Sequence, residues 1–123
     1  RKNEPLLTTL TIDGFRVLMG KNNTQNEFLT LKKAAKTDLW LHARQIPGSH
    51  VVIETEGLTV PLATIEKAAA MAAWNSKGKD SGKVDVDYTL IRYVKKIPNG
   101  QTGLVNYTHQ KTIAAIPTEI KDE

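Results

Sequence analysis

The chain has 123 residues, 40% of them hydrophobic and 24% charged, with a formal net charge of +4 and a pI near 9.4. That length suffices for a single domain, 1–123, with a core that needs no covalent staples. Cysteine is absent, which excludes disulfide frameworks, thiol nucleophiles and zinc–thiolate sites and fits a reducing compartment. No apolar run is long enough to cross a membrane as a helix. The positive surplus favours polyanionic partners if the charges cluster; taken alone, it fits a merely soluble basic surface better. The opening Arg1-Lys2-Asn3-Glu4-Pro5 resembles neither a signal peptide nor a translation start, so residues 1–6 read as a linker in a longer protein.

Thr8 to Ile12 and Phe15 to Met19 flank Asp13-Gly14, a strong hairpin signal. After Gly20-Lys21-Asn22-Asn23, the spacing of Thr24 and Glu27 predicts a capping box and a short helix carrying Phe28, Leu29 and Leu31 to about Ala35. Glu54 to Thr59 is polar. Pro61 then opens an alanine-rich helix to Trp74, with a stripe of Leu62, Ile65, Ala69 and Ala72 and side chains small enough to lie close to a sheet. Ser76 to Lys83 reads as a mobile basic loop. Val84 to Val94 alternates as one strand, Lys95 to Thr102 reads as a turn, and Gly103–Tyr107 and Lys111–Ile116 complete the strands. The order is ββ-α-ββ-α-βββ: an α+β domain with a largely antiparallel sheet and two helices.

The most informative stretch is DLWLHARQIPGSHVVI, Asp38 to Ile53. Two alternating runs meet at Ile46-Pro47-Gly48, predicting a hairpin with Gln45 opposite Ser49. Leu39, Leu41, Ala43, Val51 and Ile53 then share an apolar face, and Trp40, His42, Arg44 and His50 share the other. The second set is expected to be exposed and available to a ligand.

The three histidines invite a metal reading, with His42 and His50 meeting across the hairpin and His109 joining them. No HExxH pattern supports it, and surface or partly packed histidine is the commoner role. Ser49 and His50 are strand neighbours facing opposite ways, a poor nucleophile–base pair. Asp85 and Asp87 share a face that reads as solvated, and the glycines form no phosphate loop. Neither catalysis, a metal nor a cofactor is expected. Nucleic-acid binding fits better. Lys21, Arg44, Arg92, Lys95, Lys96 and Lys111 offer phosphate contacts, assisted by His50. Asn22 and Asn23 offer amides, and Trp40 and Tyr107 offer stacking faces. Each has a structural alternative: a packed Trp40, an edge strand blunted by Lys95-Lys96, and a turn satisfied by Asn22 and Asn23.

GKNNTQNEFLT, DLWLHARQIPGSHVVI, EKAAAMAAWNSKGK, VDVDYTLIRYVKK and GLVNYTHQKTIAAIP together resemble the NFACT-R domain, in order and along about the whole chain. This is the RNA-binding C-terminal domain of the RqcH, Rqc2 and NEMF family, the bacterial members of which are also termed fibronectin-binding-protein-like. The resemblance implies a module of a cytoplasmic ribosome-associated quality-control factor. Such factors bind the obstructed large ribosomal subunit and recruit alanyl-tRNA for C-terminal alanine tailing. It carries RNA contact onto Asn22, Asn23, Trp40, His42, Arg44, Gly48, Ser49, His50, Tyr88, Lys95 and Lys96. Relatives often have Lys at Arg44, Arg at Lys21, and Tyr or Phe where Trp74-Asn75 precedes Ser76. The alternative it implies is a fibronectin-binding module of a cell-surface adhesin.

Overall fold

Strands β1 (Thr8–Ile12) and β2 (Phe15–Met19) pair antiparallel with Ile12 opposite Phe15. Between them Asp13 and Gly14 take φ values of 52° and 84°, the two left-handed residues that a type I′ turn demands. The computed structural model describes residues 3–123; Arg1 and Lys2, from the expected linker, lie outside the described residues. Helix α1 (Asn23–Phe28) runs into a wider π turn over Leu29–Lys33. Then come β3 (Leu39–Ala43), β4 (Val51–Ile53), helix α2 (Leu62–Trp74) and β5 (Val84–Leu90). The last strands are β6 (Val94–Lys96), β7 (Val105–Tyr107) and β8 (Lys111–Ala115).

Six strands form one antiparallel sheet in the order β1-β2-β4-β3-β5-β8, and β6 and β7 form a separate ribbon. On one face Leu41, Ala43, Val51, Ile53 and Val86 pack beneath α2, which buries Ile65, Ala68, Ala69, Ala72 and Ala73. The small side chains bring the helix axis close to the sheet, as the alanine content predicts. Leu62, the first residue of α2, is the exception to the expected stripe: it is 59% exposed.

The other face is not open. Leu18, Trp40 and Val52 pack there with Leu29 of the π turn and with Ile91, Val94, Val105 and Tyr107 from the end of β5 and the β6–β7 ribbon. The domain is therefore three layers deep, and the expectation of an exposed second face is overturned. Trp40 has 0% of its surface exposed and is a core residue rather than a stacking platform. The layer that covers it arises where the single strand predicted for Val84–Val94 breaks. A 3-10 turn at Ile91–Tyr93 leaves the sheet where the pairing of β5 with β3 stops, at Leu90 opposite Leu39, and the chain returns as β6 above the indole.

The β3–β4 hairpin keeps the predicted facing of its side chains but pairs two residues away from the predicted register. Leu41 opposes Val51 and Leu39 opposes Ile53. A shift of two preserves which face each side chain takes. The connection widens to residues 44–50, and Gln45 at φ 59° turns it off the sheet. This loop is tied instead to the end of α2, by Ser49 N–H to Asn75 O at 3.0 Å and Lys77 N–H to Pro47 O at 2.9 Å. The start of the supposed mobile loop is thus bonded into the fold. At the other end of the sheet, residues Asp122 and Glu123 bond to Thr11 and Asp13 and cover the edge strand β1.

Trp40→Ala should cost about 3–5 kcal/mol of stability, the range for emptying a packed aromatic site. Urea unfolding measures it, and a loss below about 1 kcal/mol would contradict a buried indole.

Candidate nucleic-acid interface

The cap of α1 is Asn22, not the predicted Thr24. Its Oδ1 accepts the Gln25 N–H at 2.9 Å, and Gln25 Oε1 reaches back to the Lys21 N–H at 2.8 Å. This reciprocal pair lies two residues before the predicted Thr24/Glu27 box and holds Lys21, Asn22 and Asn23 outward on an exposed tip. Glu27, released from capping, binds Lys96 Nζ at 2.6 Å and the Gly103 N–H at 3.0 Å. Those two contacts hold its carboxyl below the usual range, the lysine foremost.

Deeper in, α1 presents Asn26, which is 5% exposed. Its Oδ1 accepts the His50 N–H at 3.0 Å, and its Nδ2 donates to Gly48 O at 3.4 Å. The preceding strand allows this approach because Gly20 has no side chain: a Cβ there would stand 2.4 Å from Asn26 Oδ1. Gly20 N–H also donates to His50 O at 3.1 Å, so both backbone groups of His50 are held.

The His50 ring lies inside. The Trp40 Nε1–H donates to its Nδ1 at 3.2 Å, and Thr30 Oγ1 approaches the same nitrogen at 2.7 Å. An indole N–H can only donate, so Nδ1 is unprotonated and a neutral ring carries its proton on Nε2. Burial, with a smaller push from His42, takes the His50 pKa down to about 3. His42 stacks on Trp40 with centroids 5.8 Å apart and meets His50 edge-on at 5.1 Å. Its Nε2 lies 3.3 Å from Gly48 O, a carbonyl that only accepts, so this nitrogen is the protonated one; burial lowers its pKa too. Tyr107 closes over the indole at 4.7 Å and donates its hydroxyl to Asp87 Oδ2 at 2.6 Å. Burial and that carboxylate raise the Tyr107 pKa. Asp87 also accepts from Thr112 Oγ1 at 2.7 Å and is nearly fully covered, which corrects the solvated carboxylate expected at that position.

Two concavities open beside this network, divided by Asn26, Pro47 and Gly48. A cleft of about 550 Å³ lies between the 44–48 loop and the 101–105 loop, with Trp40, His42 and His50 at its base and Tyr107 on its wall. A groove of about 360 Å³ runs the other way, between Lys21, Asn22 and Asn23 on one bank and Asn75, Ser76 and Lys77 on the other.

The predicted site residues therefore separate. Lys21, Asn22 and Asn23 meet at the groove, and Arg44 is exposed at the end of β3. His42 reaches the cleft, whereas His50, at 3% exposure, and Trp40 are withdrawn into its base because the second layer covers them. Ser49 is nearly covered, its N–H spent on Asn75. Lys96 is engaged by Glu27, and Lys95 alternates away from the sheet. Arg92 is exposed on the 3-10 turn, outside both concavities. Lys111 pairs with Tyr88, whose ring packs on the α2 side, so it lies on the opposite face from His42. His42 and His50 do meet, while His109 stacks on Tyr93 at 3.9 Å instead. Among the described residues no cluster of His, Asp and Glu could hold a metal ion, and no helix is long and apolar enough to cross a membrane. Asn26, Asp87 and Lys77 do not stand out as site residues in the sequence. Lys77 is placed at the groove by the structure alone, next to the Ser76 that bridges to Gly48.

The buried imidazole makes stability pH-dependent. The folded pKa of His50 lies below its ordinary 6.5, so the unfolded chain binds the extra proton between these values. Stability is then complete above about pH 6.5 and falls as the pH drops toward 3, by about 2 kcal/mol from this group at pH 5. Unfolding measured across that range should show the decline. The 15N shifts of the His50 ring should keep the neutral Nε2–H pattern to about pH 4, and a ring titrating near 6.5 would contradict the burial.

Comparison with known proteins agrees with this architecture. Residues 6–109 match the family model described as the NFACT protein RNA binding domain. The Rqc2 homolog RqcH of Bacillus subtilis (strain 168) is 49% identical over 95% of the chain, and that of Streptococcus suis (strain 05ZYH33) is 46% identical over 85%. The chain spans about one fifth of the length of these curated relatives, 20% and 19% respectively. Among solved structures, the C-terminal part of the fibronectin/fibrinogen-binding protein from Streptococcus suis superposes with a TM-score of 0.83 at 41% identity, covering 97% of this chain and 51% of that one. With its fold, motifs and near-complete coverage in agreement, the chain belongs to the NFACT RNA-binding domain family.

Proposed function

We propose that this chain is a non-catalytic RNA-binding module of a cytoplasmic ribosome-associated quality-control factor. In that reading the parent protein engages the obstructed large ribosomal subunit and recruits tRNA for C-terminal alanine tailing, and this module supplies one of its RNA contacts. The observation that carries the reading is the groove in which Lys21, Asn22 and Asn23 face Lys77. Two ammonium groups on opposite banks suit a sugar–phosphate backbone threading between them, and the amides suit ribose hydroxyls or base edges. Arg44 extends the positive charge beyond the cleft. The imidazoles are neutral and do not meet RNA as cations: His50 is withdrawn beneath this surface, and His42 reaches the cleft uncharged.

Fibronectin binding is the second reading, favoured by the name of the similar Streptococcus suis protein. Competition on immobilised fibronectin separates the two: excess tRNA should leave little domain bound there, and tight binding indifferent to tRNA would favour the adhesin reading.

Titrating the domain with tRNA at two or more salt concentrations tests the first reading. Affinity should rise as salt falls, and replacing Lys21 and Lys77 together by Ala should weaken binding and reduce the salt slope by about 1 to 2. Circular dichroism of the double variant should be unchanged, since both side chains are exposed. Absence of tRNA binding even at low salt would overturn the proposal.

A further inference from the structure

We infer that the cleft between the 44–48 and 101–105 loops is a receptor for one unpaired nucleobase of a bound RNA, whose phosphates lie in the adjoining groove; this rests on the RNA-binding reading above. Among the described residues, the lining of the cleft contains no Asp, Glu, Lys or Arg, although those residues make up 24% of the chain. The lysines stand in the neighbouring groove instead, across the shared wall of Asn26, Pro47 and Gly48. A nucleotide has that same division, a flat uncharged ring joined to an anionic phosphate.

The cleft chemistry matches the ring. Pro47, Leu104 and Val105 provide apolar surfaces at the mouth, and Leu104 is 48% exposed, one of the few large apolar side chains so open. Asn23, Gln45 and Gln101 place amides around them, each offering a donor and an acceptor to a base edge. A volume of about 550 Å³ falls within the range of small-ligand pockets. Its walls are also preorganised. Gly48 is packed against Ser76, where a Cβ would come within 2.9 Å, and Gly103 has φ 90° and lies so close to α1 that a Cβ on it would stand 3.2 Å from Asn23 O. Duplex RNA presents no free ring to such a cleft; single strands and loops do.

The test compares two single-stranded RNA oligomers of equal length and charge, one with bases and one abasic, bound to the intact domain. The base-bearing strand should bind roughly tenfold more tightly, in keeping with one stacked base. It should also shift the Val105 methyl and His42 ring NMR signals, which the abasic strand leaves in place. Leu104→Ser should remove most of the difference while preserving abasic binding, with its spectrum reporting the intact fold. Equal affinities with unmoved cleft signals would overturn the base receptor and leave the RNA reading standing. Binding of neither strand would overturn both. Cleft signals moved by a fibronectin fragment and not by RNA would make this a protein-anchoring pocket and overturn the inference.

Discussion

One carboxamide joins the walls of the cleft and the groove. Asn26 accepts from the backbone of His50 and donates to the carbonyl of Gly48, so α1 is locked to the β3–β4 connection. It fits only because Gly20 leaves the space. It also forms part of the partition between cleft and groove, with Pro47 and Gly48. Loops normally carry the freedom to drift; here a buried side chain that spends both its donor and its acceptor sets their spacing.

Beneath that clamp the polar groups of the second layer are paired: no buried side-chain nitrogen or oxygen among the described residues lacks a partner. Trp40, Thr30 and His50 form one chain of contacts, and Tyr107, Asp87 and Thr112 another. Fully satisfied networks in a low-dielectric interior specify one arrangement, whereas a half-satisfied one would be costly. The two sides of the sheet thereby divide their tasks. Alanines and aliphatics under α2 provide uniform apolar packing. The opposite side combines packing with directional bonds and so fixes where the amides and cations of its rim stand.

Much of the fold was legible. The Asp13-Gly14 turn, the alanine helix and the facing of Leu41, Ala43, Val51 and Ile53 all follow from local pattern, and each is present. What pattern could not provide was depth. Alternation separates the two faces of β3 equally well whether the second face meets water or another layer, so it groups Trp40, His42 and His50 correctly and gives them the wrong surroundings. The covering layer depends on Ile91–Tyr93 leaving the sheet, and an alternating run contains no mark of that exit. The hairpin register failed for a related reason: the apolar sets coincide after a two-residue shift, and the bonds from Asn75 and Lys77 that select the wider loop come from distant sequence. At the site, the tip at Lys21–Asn23 was legible as a polar break. Asn26 and Lys77 were not, because their roles arise from partners over twenty residues away.

Hydrogen–deuterium exchange on Asn26→Ala tests the clamp most directly. The amides of Ser49 and His50 should exchange roughly tenfold faster than in the parent domain, the equivalent of losing one buried hydrogen bond, while those of β1 and β2 keep their protection. Unchanged protection across residues 44–50 would show that this connection holds its place without Asn26, and the claim of a clamped binding rim would fail.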